Sequence, residues 1–406
     1  MGKVRVVGNG TGMPQPKPQL TKEDLERFAR DVSFARSDAR RVGAEIEFIT
    51  VPSRDPSGPV DLAELQDTVR ALSLDGSVTW EPGGQLEIVS GAYDDVSAAC
   101  GAIARDLRAL TPALRARGYL LSGSGLDPFR PERRVLRAPR YDAMEAFFDM
   151  DGLSGRIMMT RTASVQVNLD FGGDPAAAWA RAHRLGAAMA AAFANSPLWC
   201  GVPSGWRSTR LSTWRGIDRT RTSVVDGDGP ETWARYVMNA RVMLIRRAAD
   251  VFVPVLRPFT FAQWMADGHE FGFPSFDDLA YHCTTLFPPI RPRGWLELRM
   301  CDALPDPWWK VPVAVWWYAL YEGIDVDCSG LWTEAARDGL SHPVLARAAR
   351  AIFDDVVRVM PAGELRDVVG GYTERWVARG RTPADDILES SEPFELERRP
   401  VGAAWI

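Results

Sequence analysis

Four strand-like runs that alternate between apolar residues and acids or amides, set among long helical patterns with no regular βαβ order, predict an α+β fold. The expected architecture is one mainly antiparallel sheet, with helices covering its apolar side and a polar face left open. No internal repeat or linker divides the chain, so residues 21–406 read as a single domain behind a leader, residues 1–20.

The leader, MGKVRVVGNGTGMPQPKPQL, is rich in glycine and proline. Its GNGTG has the composition of a phosphate loop, but Met13-Pro14-Gln15-Pro16 stands where the following helix should begin, which favours a flexible segment. Thr21 is placed to cap a helix running to about Arg36, with Asp24 three residues on as the acid of a capping box. VGAEIEF (42–48) then reads as a strand in which Ile46 and Phe48 point one way and Glu45 and Glu47 the other. Like charges side by side on a sheet are unfavourable and ask for a reason. GGQLEIVSG repeats the pattern, with Gln85 and Glu87 opposite Leu86 and Ile88. In ASVQVNLDF, Ser164, Gln166, Asn168 and Asp170 alternate with Val165, Val167, Leu169 and Phe171. In GWLELRM, Glu297 and Arg299 oppose Leu296, Leu298 and Met300. Helical periodicity covers about 94–117, 175–194, 230–240, 306–322, 343–360 and 362–379. The aromatic stretch 308–321 reads as a helix buried beneath the sheet rather than a stacking platform.

Of the 406 residues, 46% are hydrophobic and 25% charged, ordinary for a soluble globular protein. A net charge of −5 gives no support for a nucleic-acid surface. Lysine is confined to Lys3, Lys17, Lys22 and Lys310, so arginine carries nearly all the positive charge. Genome base composition explains that bias as readily as a need for bidentate anion binding does. Cys100, Cys200, Cys283, Cys301 and Cys328 show neither metal-site spacing nor a disulfide framework. With no apolar span long enough for a bilayer and no signal-peptide core, the expectation is a cytoplasmic protein without a membrane or nucleic-acid partner. Nothing calls for an obligatory protein partner. A G-x-x-x-x-G-K-[ST] loop is absent, which excludes a P-loop kinase.

Glu45, Glu47, Glu87 and Glu297 fall on the polar faces of three separate strands, with Glu81 close by. A sheet with one face in water would show the same alternation. Such faces usually mix lysine, threonine, serine and glutamate, however, whereas these carry carboxylates and amides. Acids gathered on one floor repel unless a cation sits among them. Magnesium, a hard ion that takes carboxylate and phosphate oxygen, suits that composition.

Together with EPGGQLEIVSG (81–91), DPFRPERRVLRAPRYDAMEAFF (127–148), MMTRTASVQVNLDFG (158–172), ANSPLWCGVPSGWRSTRLSTWRGID (194–218), YHCTTLFPPIRPRGWLELRMCDALPD (281–306) and YTERWVARGRTPADDIL (372–388), VGAEIEF resembles the plant-type glutamate–cysteine ligases. The resemblance is to the actinobacterial branch, which acts in ergothioneine biosynthesis. The stretches follow family order. The resemblance implies a glutamine-synthetase-like fold: a curved, mainly antiparallel sheet with helices packed on the convex side and ATP, two or three Mg2+ ions and L-glutamate on the concave side. The implied reaction is ATP + L-glutamate + L-cysteine → γ-glutamylcysteine + ADP + phosphate, through γ-glutamyl phosphate. The chemistry agrees, since a carboxylate has no leaving group until phosphorylated, and metal ions are needed to bring it up to a polyanion.

By the same resemblance, Glu45, Glu47, Glu87 and Glu297 are metal ligands, with Glu81 a further candidate. Arg299, two after Glu297, is similar to the Glu-x-Arg of the glutamine synthetase superfamily and would steady the transferring phosphoryl group, although a plain strand salt bridge to Glu297 stays open. Gln166 is expected beside metal or phosphates; Asn168 is left between that role and a bond to neighbouring backbone. Arg140 and Arg210 are implied for glutamate's α-carboxylate, with Trp214 and Arg221 at the same pocket. Arg246 and Arg247 are implied for the nucleotide, where AADVFVPVLRPFTF looks shortened against relatives. The acid floor alone would equally serve a ligase joining glutamate to a different amine, and no residue can be named that reads the cysteine thiol. A dead binding protein would be expected to have lost at least one acid. His282 is either a general base for the amine or a buried structural hydrogen bond, and the second is favoured because its motif packs beneath the sheet.

Overall fold

The structure is a computed structural model describing residues 19–225 and 227–390. All of the expected leader except Gln19 and Leu20, including GNGTG, lies outside the described residues.

The architecture is α+β. A seven-stranded sheet holds β1 (Val42–Pro52), β2 (Ser77–Trp80), β3 (Leu86–Val89), β4 (Tyr119–Ser122), β5 (Ser164–Leu169), β6 (Ile290–Pro292) and β7 (Leu296–Asp302). Its order is β6-β7-β5-β1-β3-β2, and every pairing is antiparallel. β1 is long enough to serve twice: its first half runs between β3 and β5, and Ile49–Pro52 pairs with β4.

Alternation decides which face is buried. Ile46, Ile88, Val165, Val167, Leu169, Leu296 and Leu298 are all fully buried. Each such side chain contributes roughly 1.5–3 kcal/mol on removal from water. The helices Val96–Ala116, Pro175–Ala192 and Lys310–Tyr321 pack against strands of this sheet within the same hydrophobic core. The Trp-rich helix is therefore a buried layer, as its sequence predicts.

Thr21 caps Lys22–Phe28 with a complete capping box, its own N–H donating to Asp24 Oδ2 at 3.0 Å. The helix then winds through a π-turn, Ala29–Ser33, and stops short of Arg36. The six longer helical patterns are present, with ends shifted by a few residues. Shorter helices, among them Thr209–Arg215 and Phe276–Thr284, escape a periodicity reading because about two turns give too few repeats. The sheet is irregular where β7 bulges against β5, between Leu298 and Cys301. A bulge re-aims the side chains beyond it.

Candidate active site

Strand register gathers the acids. Glu47 on β1 stands opposite Glu87 on β3, and Glu87 opposite Thr79 on β2. Glu45 stands opposite Gln166 on β5, and Asn168 opposite Glu297 on β7. Residues directly opposite in antiparallel strands share a face, so these side chains form one polar floor. Glu81 reaches it from the turn before β3, where its carbonyl accepts the Gly84 N–H at 2.8 Å and its N–H donates to the Gln85 carbonyl at 2.9 Å. Gly84 has φ +88°, a conformation that favours glycine. The Gln85 side chain anchors the turn rather than the floor: Oε1 accepts the Gly83 N–H at 2.9 Å and Nε2 donates to the Thr162 carbonyl at 2.9 Å.

Amides and a hydroxyl hold the carboxylates. Gln166 Nε2 donates to Glu47 at 2.8 Å, Asn168 Nδ2 to Glu45 at 3.1 Å and Thr79 Oγ1 to Glu87 at 2.5 Å. Asn168 thus bonds an acid, not neighbouring backbone. Arg299 donates to Gln166 Oε1, and its Nε is buried without a partner. Burial pushes all four of Glu45, Glu47, Glu81 and Glu87 above the ordinary carboxyl range. Neighbouring carboxylates add to this, strongly at Glu81 and Glu87, while Arg210 and Arg299 oppose it at Glu47.

Glu297 behaves differently. It is fully buried, and Arg291 grips both of its oxygens. Arg293 Nη1 lies at 3.0 Å and Arg299 Nη1 at 3.3 Å from Oε1. Burial works against ionisation, yet Arg291, Arg299 and Arg293 hold the carboxyl far below its usual range. Arg299 therefore does pair with Glu297, while also reaching across to Gln166.

The remaining arginines separate into distinct surroundings. Arg210 is 2% exposed, donates Nη2 to the Arg299 carbonyl at 2.8 Å and lies over the Trp214 ring at 5.1 Å. Trp214 is itself fixed by Nε1 donating to the Phe287 carbonyl at 3.0 Å. Arg140 and the exposed Arg246 both lie over the ring of Tyr281, at 5.6 and 4.7 Å. Arg247 instead lies over Phe271, at 4.4 Å. Arg221, expected at the pocket's border, spends its donors inside the protein. It is wholly buried, packs on Phe147 and donates to Asp218 at 3.1 Å and to the carbonyls of Thr285 and Arg241 at 2.6 Å. His282 is buried and shares a hydrogen bond with the Val237 carbonyl at 3.1 Å, the structural role favoured from sequence.

Sequence reasoning missed Arg291, Asp302 and Thr79. Arg291 and Glu297 flank the Arg293-Gly294 turn at positions that face each other across the β6–β7 hairpin, a pairing that was readable. Asp302 was not readable, because the bulge moves it to the floor's face, opposite Ser164.

An all-oxygen set of crowded carboxylates, with Glu45, Glu47, Glu81 and Glu87 pushed above the ordinary carboxyl range, is chemically suited to a hard divalent cation. Among the described residues no three acids, histidines or cysteines already converge on a single ion. Glu45, Glu47 and Glu87 instead lean on Asn168, Gln166 and Thr79 respectively. Glu297, gripped by Arg291 and flanked by Arg293 and Arg299, would first have to give up an arginine to hold a metal.

The fold is one shared with a solved structure. It superposes on a glutamate–cysteine ligase from Francisella tularensis in complex with AMP with a TM-score of 0.56 at 14% identity, covering 87% of this chain and 85% of that one. The sequence then gives the family: residues 41–399 match glutamate–cysteine ligase family 2, and the chain belongs to it. It is 40% identical over 374 residues to the glutamate–cysteine ligase EgtA of Mycolicibacterium smegmatis, covering 86% of each protein. It is 29% identical over 350 residues to the chloroplastic glutamate–cysteine ligase of Arabidopsis thaliana, covering 77% of this chain and 65% of the plant protein. Among the described residues, no helix is long and apolar enough to cross a membrane.

Proposed function

We infer that this protein is an ATP-dependent glutamate–cysteine ligase of the cytoplasm, joining the γ-carboxylate of L-glutamate to the amine of L-cysteine and supplying γ-glutamylcysteine for ergothioneine biosynthesis. The observation that carries this reading is the floor itself: Glu45, Glu47, Glu81 and Glu87 crowd beside Arg299, with more negative charge than their immediate surroundings neutralise.

The reaction transfers the γ-phosphoryl group of ATP to the glutamate γ-carboxylate; the cysteine amine then attacks the acyl carbon and phosphate leaves. Glu45, Glu47 and Glu87, with Glu81, would hold Mg2+. Bound there, Mg2+ supplies the positive charge that lets the carboxylate approach the triphosphate. Arg299 is held between Gln166 and Glu297 with its Nε unpartnered, suited to an oxygen of the moving phosphoryl group. Glu297 supports it as a fixed countercharge. Arg210, with Nε and Nη1 unpartnered, suits glutamate's α-carboxylate, with Trp214 packed beneath it. Arg140 and Arg246 offer cationic surface at the Tyr281 rim for a further anionic group, nucleotide phosphate or substrate carboxylate. His282 is removed from the role of base, since burial and the nearby Arg221 lower its pKa to about 3.

The test is phosphate release and product mass from purified protein given ATP, Mg2+, glutamate and a panel of amines. Cysteine is expected to exceed alanine and ethylamine by at least tenfold in kcat/KM. Equal rates would leave a glutamate–amine ligase of different acceptor.

A further inference from the structure

Asp302 lies at the end of β7, on the floor's face opposite Ser164, and is 1% exposed. Three donors already fill it. Oδ2 accepts the Asn195 N–H at 2.8 Å and the Ser196 hydroxyl at 2.7 Å, and Oδ1 accepts the Ser208 hydroxyl at 2.9 Å. Gly125 presses against it so closely that a Cβ there would stand 2.5 Å from Cγ. The carboxylate cannot shift toward Gly125 without a clash. Its nearest cation is Arg210, whose Nη1 is 3.6 Å from Oδ1, too far for a hydrogen bond.

The other buried acid–arginine pairs contrast with this one. Arg291 hydrogen-bonds Glu297 through two nitrogens and donates its third to the Leu286 carbonyl at 2.7 Å. Arg221 has all three nitrogens engaged by Asp218 and backbone carbonyls. Arg210 uses one nitrogen on the Arg299 carbonyl, and Nε and Nη1 are buried without partners. A buried cation requires a countercharge, and an unpaired buried donor costs about 1–3 kcal/mol unless a ligand completes it.

We propose that Asp302, held back by Asn195, Ser196 and Ser208, is a positioning residue that fixes and balances the Arg210 guanidinium without hydrogen-bonding it, so that Arg210 keeps donors for the α-carboxylate of the donor amino acid. The proposal rests on the assignment of Arg210 to glutamate. Ser208 and Ser196 then set the reach of Asp302 as well as its satisfaction. Ser208 also caps the Thr209–Arg215 helix that carries Arg210, accepting the Leu211 N–H at 3.1 Å, which ties the cation's height to the same hydroxyl.

The test compares wild type, Asp302→Asn and Ser208→Ala with glutamate and with 4-aminobutyrate, which is glutamate without its α-carboxylate. Both variants are expected to raise KM for glutamate, Asp302→Asn by about tenfold to a hundredfold, the worth of one hydrogen bond to a charged group. Turnover of 4-aminobutyrate and KM for ATP and cysteine should stay within about twofold. Ser208→Ala keeps the Asp302 charge but frees Oδ1 to capture an Arg210 N–H, so a severalfold rise in KM for glutamate is expected from it too. It serves as the deciding variant if Asp302→Asn does not fold. An unchanged KM for glutamate in Ser208→Ala, or parallel losses with glutamate and 4-aminobutyrate, overturns the proposal. Wild-type protein that turns over no amine at all would instead sink the ligase reading, so the two failures are distinct.

Discussion

Replacing Glu87 by Gln separates the cost of the acid floor from its use. The substitution removes one charge, keeps the shape, and leaves an amide oxygen for the Thr79 hydroxyl. Glu87 sits directly opposite Glu47. Opposite residues lie roughly 5 Å apart, and two unit charges at that distance in an effective dielectric of about 20 repel by about 3 kcal/mol. Protonation relieves part of this, because the Glu87 carboxyl is already pushed up, so the expected gain in stability without metal is about 1–3 kcal/mol. For 406 residues at about 2 cal/mol/K each, the unfolding entropy is about 0.8 kcal/mol/K, which makes that gain about 1–4 °C in Tm. The assay is thermal unfolding in EDTA and then in rising Mg2+, beside Mg2+-dependent phosphate release. In EDTA the variant should melt above wild type; Mg2+ should stabilise wild type more than the variant, and the variant's turnover should fall by at least a hundredfold. A variant that melts lower in EDTA, or gains as much from Mg2+ as wild type, would rule out a floor strained by its own charge and relieved by metal.

Other expectations come from the surrounding contacts. Arg291→Gln leaves Glu297 buried with weaker partners and should cost about 3–5 kcal/mol in urea unfolding, a penalty that Arg291→Met/Glu297→Leu partly recovers. His282 contributes a pH dependence. Its folded pKa, about 3, is depressed below the ordinary value of 6.5, so the stability tied to its neutral form is complete above pH 6.5 and is lost as pH falls toward 3. The slope should approach 1.4 kcal/mol per pH unit in that window, and His282→Gln should remove it when unfolding is followed from pH 7 to pH 4.

The floor was legible because a strand's period of two is simple. Glu45, Glu47, Glu87 and Gln166 lie where alternation puts them, and the register then adds Thr79 as a partner. Legibility failed where the backbone leaves that period. Strict alternation along β7 would put Asp302 with Leu298 and Met300 on the apolar face, but the bulge after Leu298 sets it opposite Ser164. The surroundings of Arg221 were hidden for another reason. In a chain with 48 lysines and arginines, nothing local marks a guanidinium that will pack on Phe147 and bond carbonyls of distant segments. Alternation also places Glu297 correctly on the floor, while its three arginine neighbours depend on the β6–β7 hairpin and the reach of long side chains.

Anomalous diffraction from crystals grown with Mn2+, a non-hydrolysable ATP analogue and glutamate addresses the metal-holding role of the floor without an intermediate step. Mn2+ peaks are expected within bonding distance of oxygens from Glu45, Glu47 and Glu87, with phosphate oxygens completing the shell and Arg299 turned toward the γ-phosphate. Nucleotide bound away from these side chains, with the acids still hydrogen-bonded to Gln166, Asn168 and Thr79 and no metal between them, would show that the floor serves some other purpose.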